Sequence, residues 1–201
     1  MRQPVSEHPA GQAIGALSAP RDWRHPLWLA LLVAASVVSS LGLACAVPLA
    51  AFAAAAALSL SRGEALLLIL LVWLANQLVG FALLDYPLTA STFAWAAVLG
   101  IVAILATWAA QWMAGRLANA GRAFIVTATF LTAFAVYEAA LFGVSATMLG
   151  GTEIYTLAIQ GRIFAINAAA FVGLLVLNGL AVSVGLARKP VIRFPMTHQH
   201  A

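Results

Sequence analysis

The sequence predicts an all-α integral membrane protein, a bundle of six transmembrane helices with both termini in the cytoplasm. Of the 201 residues, 64% are hydrophobic and only 8% are charged, whereas a soluble domain carries about 25% charged residues. The mean hydropathy of +1.00 also predicts lipid as the solvent for most of the chain. The basic residues stand at the edges of apolar runs, where Lys and Arg mark cytoplasmic loops. The net charge of +4 therefore indicates a lipid bilayer and no nucleic acid.

Polar segments flank the apolar part of the chain at both ends. Residues 1–25 are rich in Gly, Pro and Ala and lack an apolar core followed by a cleavage site, so they are interpreted as a cytoplasmic tail. Residues 188–201 begin with basic residues directly after the last predicted span and are interpreted as a second cytoplasmic tail. The membrane domain is predicted to cover residues 26–187.

Four runs are long enough for one crossing each. A helix that crosses the roughly 30 Å hydrocarbon core needs about 20 apolar residues. The runs at 65–84, 90–115, 123–145 and 163–187 meet this length.

The first apolar run, residues 26–61, contains no Lys, Arg, Asp or Glu. As one helix it would extend about 54 Å, too long for a single crossing. Pro48 lacks a backbone donor and disfavours helix at the residue before it. We therefore expect a span at 27–44, a tight turn at the outer surface, and a short span at 48–61.

The distribution of basic residues favours six crossings over five. With six crossings and an inside N-terminus, nine of the ten basic residues lie inside and only Arg162 lies outside. With a single crossing over residues 26–61, the split becomes four inside and six outside. The positive-inside rule selects the six-span topology. The nine inside residues are Arg2, Arg21, Arg24, Arg62, Arg116, Arg122, Arg188, Lys189 and Arg193.

Four polar residues fall in the outer halves of three predicted spans: Asn76, Gln77, Glu138 and Asn167. Polar groups at such depth are costly and usually face a bundle interior or a watery cavity. Their common level predicts a pocket open to the outside. The alternative is that the amides form hydrogen bonds between helices. A lone carboxylate needs protonation or a partner, and Arg162 is the basic residue that could pair with Glu138.

Further candidates border this predicted pocket. Trp73 lies one turn from Gln77 and is either a pocket wall or part of the core. The outer loops contribute Asp85, Tyr86 and Tyr155, which either cover the pocket or face water. No catalytic grouping is recognised in the sequence, so an enzyme is not expected.

The first span carries small residues at helical spacing. Ala30 and Ala34 form a small-xxx-small pair, which lets another helix approach closely. Packing within the chain explains this pair as well as a partner does.

The layout resembles the S-components of energy-coupling factor (ECF) vitamin transporters, small six-span proteins with cytoplasmic termini. The resemblance covers residues 27–187 and rests on topology, three outer loops and the Ala30–Ala34 pair. It implies a bacterial-type cytoplasmic (inner) membrane, a vitamin pocket near the outer face, and a coupling subunit with ATPases as partners, docked on Ala30 and Ala34.

The run "CAVPLAAF" followed by "WLANQLVGF" looks most similar to solitary cobalamin S-components of the BtuM type. The resemblance implies cobalamin as the transported ligand, with no intrinsic cofactor, and the thiol of Cys45 as a ligand of the corrinoid cobalt. A thiolate is a soft, strong metal ligand. Cys45 is the single cysteine of the chain. The alternative to a ligand role is that it is a small apolar residue that only fills space in the packing.

Two other functions stay open. A membrane scaffold or assembly protein would use the small-residue face for partner helices and the amides for packing. A cobalt or other metal-ion permease would use Cys45 and Glu138 with the tail residues His198 and His200.

Overall fold

The structure is a computed structural model that describes residues 23–42 and 47–187. In this part of the chain all regular structure is helical. The elements in chain order are α1 (Arg24–Gly42), α2 (Leu49–Ser59), α3 (Arg62–Leu83), α4 (Ala90–Arg116), α5 (Arg122–Val144) and α6 (Leu157–Ser183). A π-helical turn (Ser145–Leu149) and a 3₁₀ turn (Thr152–Ile154) lie between α5 and α6.

Polar side chains at the N-termini of three helices set where these helices begin. The carboxylate of Glu64 accepts a hydrogen bond from the Ser61 backbone N–H at 2.9 Å, as in a capping box at the start of α3. The hydroxyl of Thr89 caps α4, and that of Thr156 caps α6. Each cap satisfies a backbone group that the first helical turn leaves without an internal partner.

Successive helices run in alternating directions, so α1 begins beside the end of α6. Arg24 Nη1 donates to the Gly185 carbonyl at 3.3 Å. His25 Nε2 lies 2.9 Å from Glu64 Oε1, which joins the start of α1 to the start of α3. The end of the bundle that holds these contacts is called the Arg-rich end, and its arginines are Arg24, Arg62, Arg116 and Arg122. The opposite end, with residues 84–89 and 145–156, is called the loop end.

The centre of the bundle is α2, which packs against α3, α4, α5 and α6. Nine of its 11 residues are buried, and most of them are alanines. Small side chains let neighbouring backbones approach closely, so four helices can surround one. Helix α1 packs on α3 at the edge of this arrangement.

Helix α2 is too short to reach the loop end. Its 11 residues extend about 16 Å, whereas the 22 residues of α3 extend about 33 Å. Pro48, directly before α2, is fully buried. Pro48 therefore precedes α2 about halfway along the bundle, and the rest of the predicted turn, residues 45–47, is described only at Val47.

Four helices, α3 to α6, are long and apolar enough to cross a membrane, whereas α1 and α2 are shorter apolar helices. The prediction of a helical chain is therefore confirmed for the described residues, and the four long apolar helices are consistent with a multi-pass membrane protein. The six crossings and the cytoplasmic termini stay predictions. Residues 1–22 and 188–201, which include His198 and His200, lie outside the described residues.

Candidate functional site

The site residues predicted from the sequence divide into three groups, and the first surrounds Glu138. Glu138 is half-buried in α5, six residues or about 9 Å from the last residue of the helix. The chain returns to this position after the 3₁₀ turn, where the Tyr155 ring packs edge-on against Phe142 with 5.0 Å between centroids. The Tyr155 side chain is hydrogen-bonded to Ser145. Tyr155 therefore lies close enough to Glu138 for the charge of the carboxylate to act on the phenol.

The protonation of Tyr155 reflects this environment. Burial raises the pKa of Tyr155 above 10.0, and the charge of Glu138 raises it further, while the hydrogen bond to Ser145 acts in the opposite direction. The neutral phenol is therefore favoured beside the carboxylate. Sequence reasoning missed Ser145 and Phe142, although Gly150 and Gly151 were a signal. Both adopt positive φ angles, which reverse the chain and which glycine tolerates best.

Arg162 does not join this group. It is exposed near the start of α6, and no ion pair within 4.0 Å links it to Glu138 in the described part of the chain. The suggested Arg162–Glu138 pair is therefore absent from the structure.

The second group is the contact of Asn167 with α2. Asn167 is 3% exposed, and its Oδ1 accepts a hydrogen bond from the Ala51 backbone N–H at 3.2 Å. Its Nδ2 donates to the Ile163 carbonyl at 3.0 Å. Because Ala51 lies in the first turn of α2, Asn167 supplies the acceptor that the helix itself cannot provide there. Asn167 lies ten residues into α6, about 15 Å from its start, and so deeper than the predicted span placed it.

The third group is an apolar groove between α3 and α4, with a volume of about 490 Å³, that contains Trp73 and Gln77. Trp73 Nε1 donates to the Ala96 carbonyl at 2.8 Å, which fixes the indole against α4. Gly100 makes room for it, since a Cβ at that position would lie 2.8 Å from the ring. Asn76 is half-buried and does not line the groove. The lining residues are Leu70, Trp73, Gln77, Phe81, Phe93, Ala96, Ala97, Gly100, Ile101 and Ile104.

The loop that follows α3 folds back on the bundle next to the loop-end part of the groove. Asp85 is exposed and adopts φ 51°, a left-handed conformation that Asp tolerates, and so ends the helix. Tyr86 then folds back: its N–H donates to the Gly80 carbonyl at 3.1 Å, and its ring meets Phe81 edge-on at 6.1 Å. Tyr86 thus packs on the bundle, and Asp85 faces away from it.

The remaining predicted residues lie apart from these groups. Ala30 and Ala34 are exposed on α1, on the side that does not pack against α3. Cys45 lies outside the described residues. Among the described residues, no group of three or more His, Cys, Asp or Glu side chains could hold a metal ion.

The predicted site residues therefore do not share a single pocket. Glu138 and Tyr155 lie toward the loop end, Asn167 supports α2, and Trp73 and Gln77 line a groove on the bundle surface. No family model, curated protein or solved structure matches this chain.

Proposed function

We propose that this chain is a membrane-embedded capture subunit for uptake of a small micronutrient, which binds at the loop end of the bundle. The observation that carries the proposal is the position of α2. Its first residue lies about halfway along the bundle, whereas the four long helices around it continue toward the loop end. The loop half of the bundle is therefore not filled by α2.

Helix interruptions near the membrane midplane support this reading. In membrane transporters, substrates commonly bind where a helix begins or ends inside the bilayer, because its terminal backbone groups are available there. The N-terminus of α2 is such a point, and the Asn167 side chain already holds one of its N–H groups. Glu138 and Tyr155 lie further toward the loop end. A polar molecule that enters from this end meets polar groups at several depths.

The arginines set the proposed orientation. Arg24, Arg62, Arg116 and Arg122 lie at the Arg-rich end, whereas Arg162 lies at the loop end. By the positive-inside rule the Arg-rich end is cytoplasmic, in a bacterial-type inner membrane, and the loop end faces outside. In the proposed six-span topology, α1 and α2 with the segment between them make the first two crossings, and both tails lie in the cytoplasm.

A coupling partner is proposed to dock on α1. Ala30 and Ala34 are exposed, so their small side chains leave α1 accessible to a partner helix. If the chain acts as an ECF S-component, this partner is the coupling subunit, with its ATPases.

Cobalamin is the first ligand to test, with Cys45 as the proposed cobalt ligand. The protein is purified from cells grown with cobalamin, and its visible spectrum and the heat of cobalamin binding are measured. The proposal expects a coloured protein, and a Cys45→Ala variant that binds with a changed spectrum because the axial ligand differs. A colourless protein with no heat of binding would rule out cobalamin, and an unchanged spectrum in the variant would rule out the thiol ligand.

A scaffold function is the second candidate, and the hydrogen bond of Asn167 to α2 favours it, since that amide acts in packing. Glu138→Gln separates the two functions, because Glu138 forms no ion pair with a described residue and is not needed to hold α2. Weaker uptake of a labelled substrate by a variant that folds normally supports capture. Unchanged uptake and a lost protein complex support the scaffold.

A further inference from the structure

The groove between α3 and α4 faces the membrane, away from the proposed capture site. Three of its lining residues are strongly exposed on apolar helices: Leu70 is 41%, Phe93 is 52% and Ile101 is 59% exposed. Large apolar side chains exposed on membrane helices contact lipid. Whatever fills the groove therefore reaches it from the bilayer.

The length of the groove corresponds to one leaflet. It extends from Phe81 to Leu70 along α3 and from Phe93 to Ile104 along α4, eleven residues in each case, or about 16 Å. Half of the roughly 30 Å hydrocarbon core is about 15 Å. Because Phe81 and Phe93 lie near the loop end, the groove belongs to the leaflet on that side.

The walls of the groove are held in place. Phe81 and Phe93 stack with 5.0 Å between centroids at the loop end. The Trp73 indole is fixed by its hydrogen bond to Ala96, so its N–H is already used. A pre-formed apolar cleft of this volume lies in the range typical of small-ligand sites.

Gln77 provides the groove with an unused polar group. Among the described residues, no hydrogen bond to its side-chain amide is found, and it is the one lining side chain with an unused donor. An amide at membrane depth without a partner is costly. Its position, about 9 Å from the end of α3, marks where an occupant carries an oxygen acceptor.

We infer that this groove is a lipid site: it holds one acyl chain of a glycerolipid from the leaflet at the loop end, seated so that an ester oxygen accepts a hydrogen bond from Gln77 about 6 Å below the outer edge of the groove. The site is separate from the proposed capture site and does not depend on it. The chain lies along the Trp73 indole, and the headgroup lies toward Tyr86.

The first test is quenching of Trp73 in nanodiscs of phosphatidylcholine that is dibrominated on one acyl chain. The emission of Trp73 is obtained by subtracting the tryptophan emission of Trp73→Phe from that of the unmodified protein. Strong quenching of this difference is expected, because the brominated chain contacts the indole. Absence of quenching would overturn the inference.

The second test uses variants that fill the groove or leave it open. Ala97→Phe places a ring in the groove at an exposed position, and Ala139→Phe places the same ring on an exposed face of α5 at a similar depth. Native mass spectrometry in detergent counts the retained palmitoyl-oleoyl phosphatidylglycerol. One lipid per chain is expected for the protein and Ala139→Phe, and loss of that lipid for Ala97→Phe. Equal retention by both variants would overturn the site.

The third test addresses Gln77. Gln77→Leu keeps the apolar groove and removes the donor, so lipid affinity is expected to fall about three- to tenfold, the effect of one neutral hydrogen bond. Retention equal to that of the unmodified protein would refute the ester contact.

Discussion

Replacing Asn167 by leucine tests how the central helix is held. The substitution removes the acceptor of the Ala51 N–H, and Ala51 is 0% exposed. A buried donor left without a partner costs about 1–3 kcal/mol. Leucine has a similar size, so the cavity term is small. We therefore expect Asn167→Leu to lower the free energy of unfolding by about 1–3 kcal/mol, more than the roughly 0.6 kcal/mol average for polar contacts between membrane helices.

The control for this prediction lies on the same helix. Asn178 Oδ1 is buried without a hydrogen-bond partner among the described residues. Asn178→Leu makes the same chemical change three turns further along α6 but removes an unsatisfied acceptor, so its effect is expected to be neutral or slightly stabilising.

Both variants are measured by titration with sodium dodecyl sulfate in mixed micelles, with helix content followed by circular dichroism. The midpoint of Asn167→Leu should fall, and that of Asn178→Leu should stay or rise. Equal midpoints for the two variants would refute the assignment of Asn167 as the cap of α2.

Three further predictions concern single contacts. Gly100→Leu should displace the Trp73 indole and lower the thermal midpoint, and a red shift of the tryptophan emission would show that the ring has moved. Tyr155 has a pKa above the unfolded value of 10.0, so the unfolded chain loses its proton first and stability should fall above about pH 10. Tyr155→Phe should reduce this loss of stability when the free energy of unfolding is measured as a function of pH. Glu64→Ala removes both the acceptor of the Ser61 N–H and the contact with His25 and should cost about 1 kcal/mol or more in the same detergent titration, and an unchanged midpoint would show that neither contact stabilises the fold.

The helices were largely predictable, because apolar length and breaker residues act locally. The break expected at Pro48 is confirmed, since α2 begins at the next residue. The start of α6 was predicted at residue 163 but lies at Leu157, because Arg162 was assigned to a loop. A long basic side chain can extend to the interface from within a helix.

The surroundings of α2 were not predictable from its composition. A helix that is apolar on all sides is equally suited to lipid and to a protein core, and the alanines of α2 proved to be core. The contact between Tyr155 and Phe142 depends on the turns between α5 and α6, which apolar periodicity does not describe. Asn167 was identified from its depth alone, but its partner Ala51 lies 116 residues earlier.

That separation has a consequence for the order in which the protein matures. Helix α2 is made early, but the side chain that caps it is made with the last helix. An 11-residue segment cannot span the bilayer, and backbone groups at its ends cannot remain unpaired in hydrocarbon. On its own α2 therefore meets neither requirement for a segment surrounded by lipid. The hydrogen bond between Asn167 and Ala51 can form only after α6 has been made, so nearly the whole chain must be present before this cap is complete.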